Sequence, residues 1–405
     1  MDPSLASQAP TPNLGVLIAQ LQAIVADPKG STVALAIDDS KRQQLRQLTR
    51  AASFALEEPF ETVQRLVYSP LPLITTRIAQ EHKLFATLAG ASGKTVAFDA
   101  LREATGLQAA VLESVVDYLG TQGMLSEPQR GQYAPTGLTQ LMMAPLFQDA
   151  ITHFHDNCLP AFGALNTVLS NSIQKLNAFK VGQHSSVDFY TWLETHPVQQ
   201  GAFHRFMEAQ FASLPTWLDA VDFGSEMGAD LTSSEHVAFV DVGGGNGQQI
   251  SALKAKIPDL QGRLVLQDRP VVLEKALEVE GMEKMSYDYL TEQPVKDARV
   301  YYFRQIMHNN DDATCIRILR SQLPAMGAAS VIIIDDKCLS DEKPPQDSPG
   351  VEYTSGLSIA MEAMFNAQER REAHWRTLLS QAGLVLKDIR KFTRFEDSVI
   401  IAAKQ

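Results

Sequence analysis

Val240-Asp241-Val242-Gly243-Gly244-Gly245-Asn246-Gly247 leaves an apolar strand, HVAFV, and enters a helical stretch beginning near Gln248. Glycine lets a backbone turn sharply and approach a ligand where a Cβ would clash. The spacing through Gly243, Gly245 and Gly247 is GxGxG; the position that would complete a dinucleotide GxGxxG is Gln248. Such a turn also serves plain strand-to-helix packing, so the following strands decide its meaning. GRLVLQD ends in Asp268, roughly 25 residues on, where a strand-tip carboxylate suits two ribose hydroxyls. Tyr287-Asp288-Tyr289 falls where the third strand should end. Asp288 suits an adenine exocyclic amine and Tyr289 suits the ring, although a lone loop aspartate is as readily a cap. Acids and aromatics at successive strand ends predict a nucleoside site, and GxGxG favours S-adenosylmethionine (SAM) over a dinucleotide.

Outward from this turn, residues 224–405 alternate strands with helices: HVAFVDV, QQISALKAKIP, GRLVLQD, PVVLEKALEVE, ARVYYFRQIMH, DATCIRILRSQLPAM, ASVIIIDD, EAHWRTLLSQAG, then the pair DIRKFTRF and SVIIAAK. Fully apolar strands separated by helices predict a parallel sheet covered on both faces, with the last pair antiparallel. Towards the N-terminus the texture is helical, with apolar residues three and four apart. The segment LPLITTRIAQEHKLFATLA reads as one helix apolar on more than one face, which points to dimerisation. VAFDALREATGL, AAVLESVVDYLGTQGML and SEPQRGQYAPT outline a winged helix. Loop signals fall at residues 171–186 and at His196-Pro197. The expected organisation is a disordered tail (1–13), a helical dimerisation and winged-helix domain (14–223) and a Rossmann-like domain (224–405), with the boundary at GSEMGADLTSSE.

The chain has 405 residues and a formal net charge of -12. That acidity opposes phosphate contact, and Arg102 and Arg130 stand almost alone among the acids of the winged segment, so nucleic acid is not an expected partner. No apolar run reaches membrane-span length. Met1 to Asn13 lacks the charge and apolar core of a signal peptide. Cys158, Cys315 and Cys338 form no CxxC and fit a reducing, cytoplasmic setting, and no metal-ligand spacing appears.

DVGGGNG, LVLQD, YDYL, YYFRQIMHNNDD and NAQERREAHW together resemble the class I SAM-dependent O-methyltransferases of the plant caffeic-acid and fungal natural-product type. The resemblance covers most of the chain, since that family also carries a helical, winged-helix dimerisation domain before its Rossmann-like domain. It implies a homodimer and a bound SAM held by Gly243, Gly244, Gly245, Asp268, Asp288, Tyr289 and Arg304. It also implies a small aromatic or polyketide-derived acceptor and His308 as the catalytic base. His308 follows the YYFRQIM strand, at the strand end where ligands of open α/β sheets sit. Imidazole titrates near 6.5 and can take a phenol proton during methyl transfer. Asp336 and Glu369 match the family's acids flanking that histidine; outside the resemblance they read as a strand-end acid and a first-turn helix acid. The sequence departs from the family's His-Asp-Trp run, having His308-Asn309-Asn310.

FHRFMEAQF and IAMEAMFNAQ place His204, Met207 and Phe211, and Met361, Met364 and Phe365, on two helical faces. These are core-like patterns that would also suit a flat apolar acceptor; His204, Met207, Met361 and Phe365 are the candidate substrate contacts. Three activities follow. The first is O-methyl transfer. The second is a pericyclic or dehydrating reaction that uses the sulfonium only as a fixed charge, kept open by Asn309-Asn310 and by Lys337 beside Asp336. The third, weakest on charge, is a non-catalytic SAM-binding module.

Overall fold

The computed structural model describes residues 13–26, 39–170, 176–210, 214–228, 231, 233, 235–345, 348 and 350–405. Most of the N-terminal tail, Phe211, and parts of the 171–186 loop and of the 224–235 linker lie outside the described residues. The chain divides into two compact units, Met1–Ser69 and Pro70–Gln405.

The first unit carries helices Leu14–Ala26, Asp39–Ala55 and Pro59–Val67. The first of these has no buried residue. The third begins with a capping box, in which Glu61 accepts from the Glu58 amide at 2.8 Å.

The second unit begins with helices Leu71–Glu81 and Leu84–Gly90. The single helix expected here is broken because Lys83 adopts a left-handed φ of 58°, which redirects the chain so that Leu84, Phe85 and Leu88 are all buried. Strand β1 (Val96–Ala97), helices Phe98–Thr105 and Ala109–Thr121, and the hairpin of β2 (Leu125–Gln129) and β3 (Gln132–Pro135) follow. The three strands pair in the order β1-β3-β2. A helical run Pro145–Leu169 then contains a π-helical segment, His153–Cys158.

The large sheet is built from β4 (Val237–Val242), β5 (Arg263–Asp268), β6 (Met282–Ser286), β7 (Val300–Arg304), β8 (Val331–Leu339), β9 (Arg370–Arg371), β10 (Leu384–Lys391) and β11 (Asp397–Lys404). Its order is β10-β11-β8-β7-β4-β5-β6, with β9 alongside β8. The strands β8 to β6 run parallel, and β10 and β11 are antiparallel as expected. All six residues of β4 are buried, which is why its sequence is unbroken in apolarity except at Asp241. One face packs on Cys315, Ile318, Leu319, Trp375, Leu378 and Leu379. The other packs on Trp217, whose ring stacks on Phe239 at 5.6 Å. This is the expected Rossmann-like α/β domain behind a helical N-terminal region. One predicted helix is short: only Pro270–Leu273 of PVVLEKALEVE is helical, since the Leu277 amide instead donates to Asn246 O in the glycine turn at 2.9 Å.

Among the described residues, no helix is long and apolar enough to cross a membrane, and no group of three or more His, Cys, Asp or Glu side chains is arranged to hold a metal ion.

Candidate active site

The glycine turn leaves β4 at the carboxyl end of the sheet. Gly243, Gly245 and Gly247 all take positive φ, between 62° and 85°, which an L side chain rarely adopts. Gly243 and Gly244 donate their amides to Gln267 O at the end of β5, at 2.7 and 3.2 Å. A Cβ at Gly244 would stand 2.3 Å from Asp241 Cγ, whereas among the described residues nothing beyond the turn's own neighbours lies within 4 Å of a Cβ at Gly245. The turn is thus packed from below at Gly244 and open at Gly245.

Carboxylates line this turn. Asp268 at the tip of β5 accepts from the Gly245 amide at 2.9 Å and from the Arg269 amide at 2.7 Å. Burial raises its pKa above the ordinary carboxylate value, against those two donors. Asp241 is fully buried and, among the described residues, neither of its carboxylate oxygens has a hydrogen-bond partner. Burial pushes it up to about 7, with Arg304 opposing. A buried carboxyl beneath an open glycine turn is costly to ionise, and a cation bound nearby would favour its charged form. The donor set therefore fits a cationic nucleoside. Tyr289 is half-buried against the Gly243 side of the turn. Asp288 is exposed and caps the Leu290 amide at 2.9 Å. Arg304 faces Asp335, its Nε 3.4 Å from Oδ2.

Beyond β7 the chain turns through Gln305, at a left-handed φ of 53°, into a single 3₁₀ turn, Met307–Asn309, carrying His308. Non-glycine residues in that region mark strain held by surrounding structure. His308 Nδ1 lies 2.9 Å from Glu369 Oε1. A carboxylate only accepts, so Nδ1 carries a proton, and in the neutral imidazole Nε2 keeps its lone pair. Burial opposes charging this imidazole, but the charge of Glu369, then that of Asp336, raises its pKa overall above the ordinary value. Asp336 accepts from the Met307 amide through Oδ2 at 3.2 Å while Oδ1 is unpartnered; burial pushes it up to about 7, with His308 opposing. His308, Asp336 and Glu369, far apart in sequence, thus form one cluster. A small cleft opens beside His308, with Arg304, Asp335, Asp336 and Leu357 also in its walls.

The candidate acceptor residues are more dispersed. Met361 is buried with Ala360 and Ala367. Phe365 stacks on Tyr190 at 5.7 Å. His204 is half-buried, with its pKa lowered by burial and by Lys275 and Arg269. Met207 Sδ lies 3.1 Å from Gln210 Nε2. None of the four lines the cleft beside His308. Lys337, which kept a second chemistry open, is buried and committed: it donates to Asp397 Oδ1 at 2.7 Å and to Phe395 O at 2.9 Å.

The sequence marked Asn309 only as a departure and gave no role to Tyr190 or Arg370. Asn309, where the family has an acid, donates to Gln305 O at 2.8 Å and to the Tyr190 hydroxyl at 3.1 Å. Tyr190 gave no signal beyond an aromatic in a helical segment. Arg370 lies in NAQERREAHW, where only Glu369 carried an expectation, and it is 1% exposed.

Comparison with known proteins bears on this geometry. A family profile described as the O-methyltransferase domain matches residues 229–385. The 16-O-methyltransferase bsc6 of Alternaria brassicicola is 31% identical over 390 residues, spanning 94% of this chain and 95% of that protein. Two solved structures, one described as a pericyclic reaction enzyme and the other as LepI in complex with SAM, each superpose with a TM-score of 0.82 at 25% identity, covering 96% of this chain and 100% of theirs. Matched along nearly its whole length by a relative of that kind, the chain belongs to the O-methyltransferase family.

Proposed function

We propose that this protein is a SAM-dependent O-methyltransferase acting on a hydroxyl of an aromatic or polyketide-derived metabolite, with His308 as general base. The observation that carries this reading is the His308–Glu369 pair, which leaves Nε2 free to accept a proton beside the cleft.

The cofactor is S-adenosylmethionine, which when bound supplies an electrophilic sulfonium methyl group. Gly243, Gly244 and Gly245 would give it a backbone surface, Asp268 would hold the ribose, and Asp288, Tyr289 and Arg304 would complete the site. His308 Nε2 removes the acceptor's hydroxyl proton. Glu369 fixes the ring through Nδ1 and stabilises the imidazolium that forms, and the Asp336 charge adds to that stabilisation. Orientation of the acceptor oxygen is worth roughly 7–11 kcal/mol of barrier, and a general base about 10²–10⁴ in rate. His204, Met207, Met361 and Phe365 are proposed to border the acceptor, with Phe365 presented through its stack on Tyr190.

The exposed apolar side chains Leu14, Val16, Leu17, Ile18, Leu21 and Val25 support a homodimer formed through the N-terminal helices. The helices Phe98–Thr105 and Ala109–Thr121 with the β2–β3 hairpin support a winged helix used for packing. Three free, buried cysteines support a reducing, cytoplasmic setting.

A second reading is favoured by one comparison and one departure. One of the similar solved structures is described as a pericyclic reaction enzyme, and Asn309 replaces the usual acid after the histidine. In that reading the bound sulfonium acts as a fixed charge. The variant His308→Ala tests the base assignment: it should keep SAM binding and lose methyl transfer to phenolic acceptors by about 10²–10⁴. Full methylation by the variant would remove His308 from the mechanism.

A further inference from the structure

Arg370 is fixed by more contacts than a charged residue at a helix entry requires. Its Nη1 donates to Met307 O at 2.8 Å, its Nη2 to Asn310 O at 2.7 Å, and its Nε to Asp312 Oδ1 at 2.9 Å. The guanidinium also lies over the Trp375 ring, 5.5 Å from the centroid. The two carbonyls it bridges stand on either side of His308. The Met307 amide is in turn bonded by Asp336, so both ends of the residue preceding the base are held by side chains. Arg370 also neighbours Glu369, the residue that bonds the imidazole, and Arg370 itself pairs with Cys338 at the end of β8.

We propose that Arg370 is a positioning residue for the His308 base: its forked guanidinium spans the 307 and 310 carbonyls and so sets the backbone from which the imidazole meets Glu369. The inference rests on the reading of His308 as the base. A guanidinium presents its donors in a rigid planar fork, so one side chain serves both carbonyls and the Asp312 carboxylate at once. A lysine ammonium keeps the charge without that fork. The strap matters because Gln305 holds a left-handed φ, a conformation that the turn must be made to keep. The Arg370 charge also sits near Asp336, whose carboxyl it favours in the ionised form. Geometry and charge can therefore be separated by substitution.

The test uses the full chain with S-adenosylhomocysteine bound and compares wild type with Arg370→Lys and Asp312→Asn. The primary readout is the His308 Nδ1–H resonance in protein carrying ¹⁵N-labelled histidine, with its protection from solvent exchange. The second is turnover with three probe phenols: 1-naphthol, 2,4-dihydroxyacetophenone and emodin. The third is S-adenosylhomocysteine affinity by calorimetry. Arg370→Lys should lose protection of that proton and lower kcat about 10- to 100-fold, with cofactor affinity within about twofold. Asp312→Asn weakens the outer partner of Arg370, a half-exposed carboxylate that also pairs with His374 at 2.7 Å, and should act in the same direction by less than about tenfold. A protected Nδ1–H with wild-type kcat in Arg370→Lys overturns the proposal. So does a kcat loss matched by an equal loss of cofactor affinity, which would mark a merely structural role. Should Arg370→Lys fail to fold, Asp312→Asn decides, and an unchanged resonance there overturns the proposal. Should wild type methylate none of the probes while Nδ1–H still responds to Arg370, methyl transfer to these phenols fails and the positioning role stands.

Discussion

Replacing Glu369 by glutamine removes one charge and almost no volume. Glu369 is 5% exposed, its Oε1 holds His308 Nδ1 at 2.9 Å, and its Oε2 is buried without a partner. Two consequences follow. The first is electrostatic: a hydrogen bond to a charged group is worth about 1.5–3 kcal/mol against about 0.5–1.5 for a neutral one. The difference, about 1–2 kcal/mol, corresponds to roughly one pH unit at 1.36 kcal/mol per unit. The wild-type base has a raised pKa, so the acid limb of kcat should lie above pH 6.5, and the variant's limb should fall by about one unit. The second is tautomeric. The glutamine NH₂ can donate to Nδ1, which moves the imidazole proton to Nε2 and disables the base. In a serine-protease triad the equivalent swap costs about 10⁴ in kcat, and a loss of about 10²–10⁴ is expected here. SAM affinity should stay within about twofold, because Glu369 does not touch the glycine turn.

Stability gives an independent check on the same pair. A histidine with a raised folded pKa contributes stability that is fully present below about pH 6.5 and is lost as pH rises through the folded value. Glu369→Gln should therefore destabilise more at pH 6 than at pH 9 in urea titrations. The reasoning is refuted if the limb moves upward, if kcat is unchanged, or if the variant loses equal stability at both pH values.

Two further predictions concern the cofactor side. Asp241, pushed up to about 7 by burial and lacking any partner, should ionise when a cationic cofactor binds. SAM affinity should rise as pH increases from about 6 to 8, with proton release visible at pH 6.5 as a binding enthalpy that varies with the buffer, and Asp241→Asn should abolish that dependence; a buffer-independent enthalpy in wild type contradicts this. Gly244→Ala would drive a Cβ to 2.3 Å from Asp241 Cγ and 2.6 Å from Leu266 Cδ1. It should cost about 1–3 kcal/mol by thermal melt and lower SAM affinity more than about tenfold, and wild-type melting with wild-type binding would show that the turn is not packed as described.

Much of the fold was legible because its signals are local. The unbroken apolar runs VAFVDV and VIIID require a sheet covered on both faces, and the glycines that take positive φ had to be glycine. The break at Lys83 left no mark, since the apolar periodicity of LPLITTRIAQEHKLFATLA continues through it and only tertiary packing of Leu84 and Phe85 selects the bend. PVVLEKALEVE has helical spacing, yet the Leu277 amide is recruited by the glycine turn. At the site, a strand end followed by a histidine pointed to His308, but its bond to Glu369 crosses 61 residues and was reached only through resemblance. Arg370 gave no signal in sequence; its burial depends on three partners that no spacing rule brings together. The Asn309–Tyr190 bond, across 119 residues, is of the same kind.

The central claim is that the methyl group leaves the cofactor. Incubation with SAM carrying a labelled methyl group and a panel of phenolic and polyketide acceptors, followed by mass balance, tests it most directly. The account predicts S-adenosylhomocysteine and methyl-labelled product in equal amounts, with both lost in His308→Ala. An isomerised or dehydrated product formed while the label stays on SAM would contradict it.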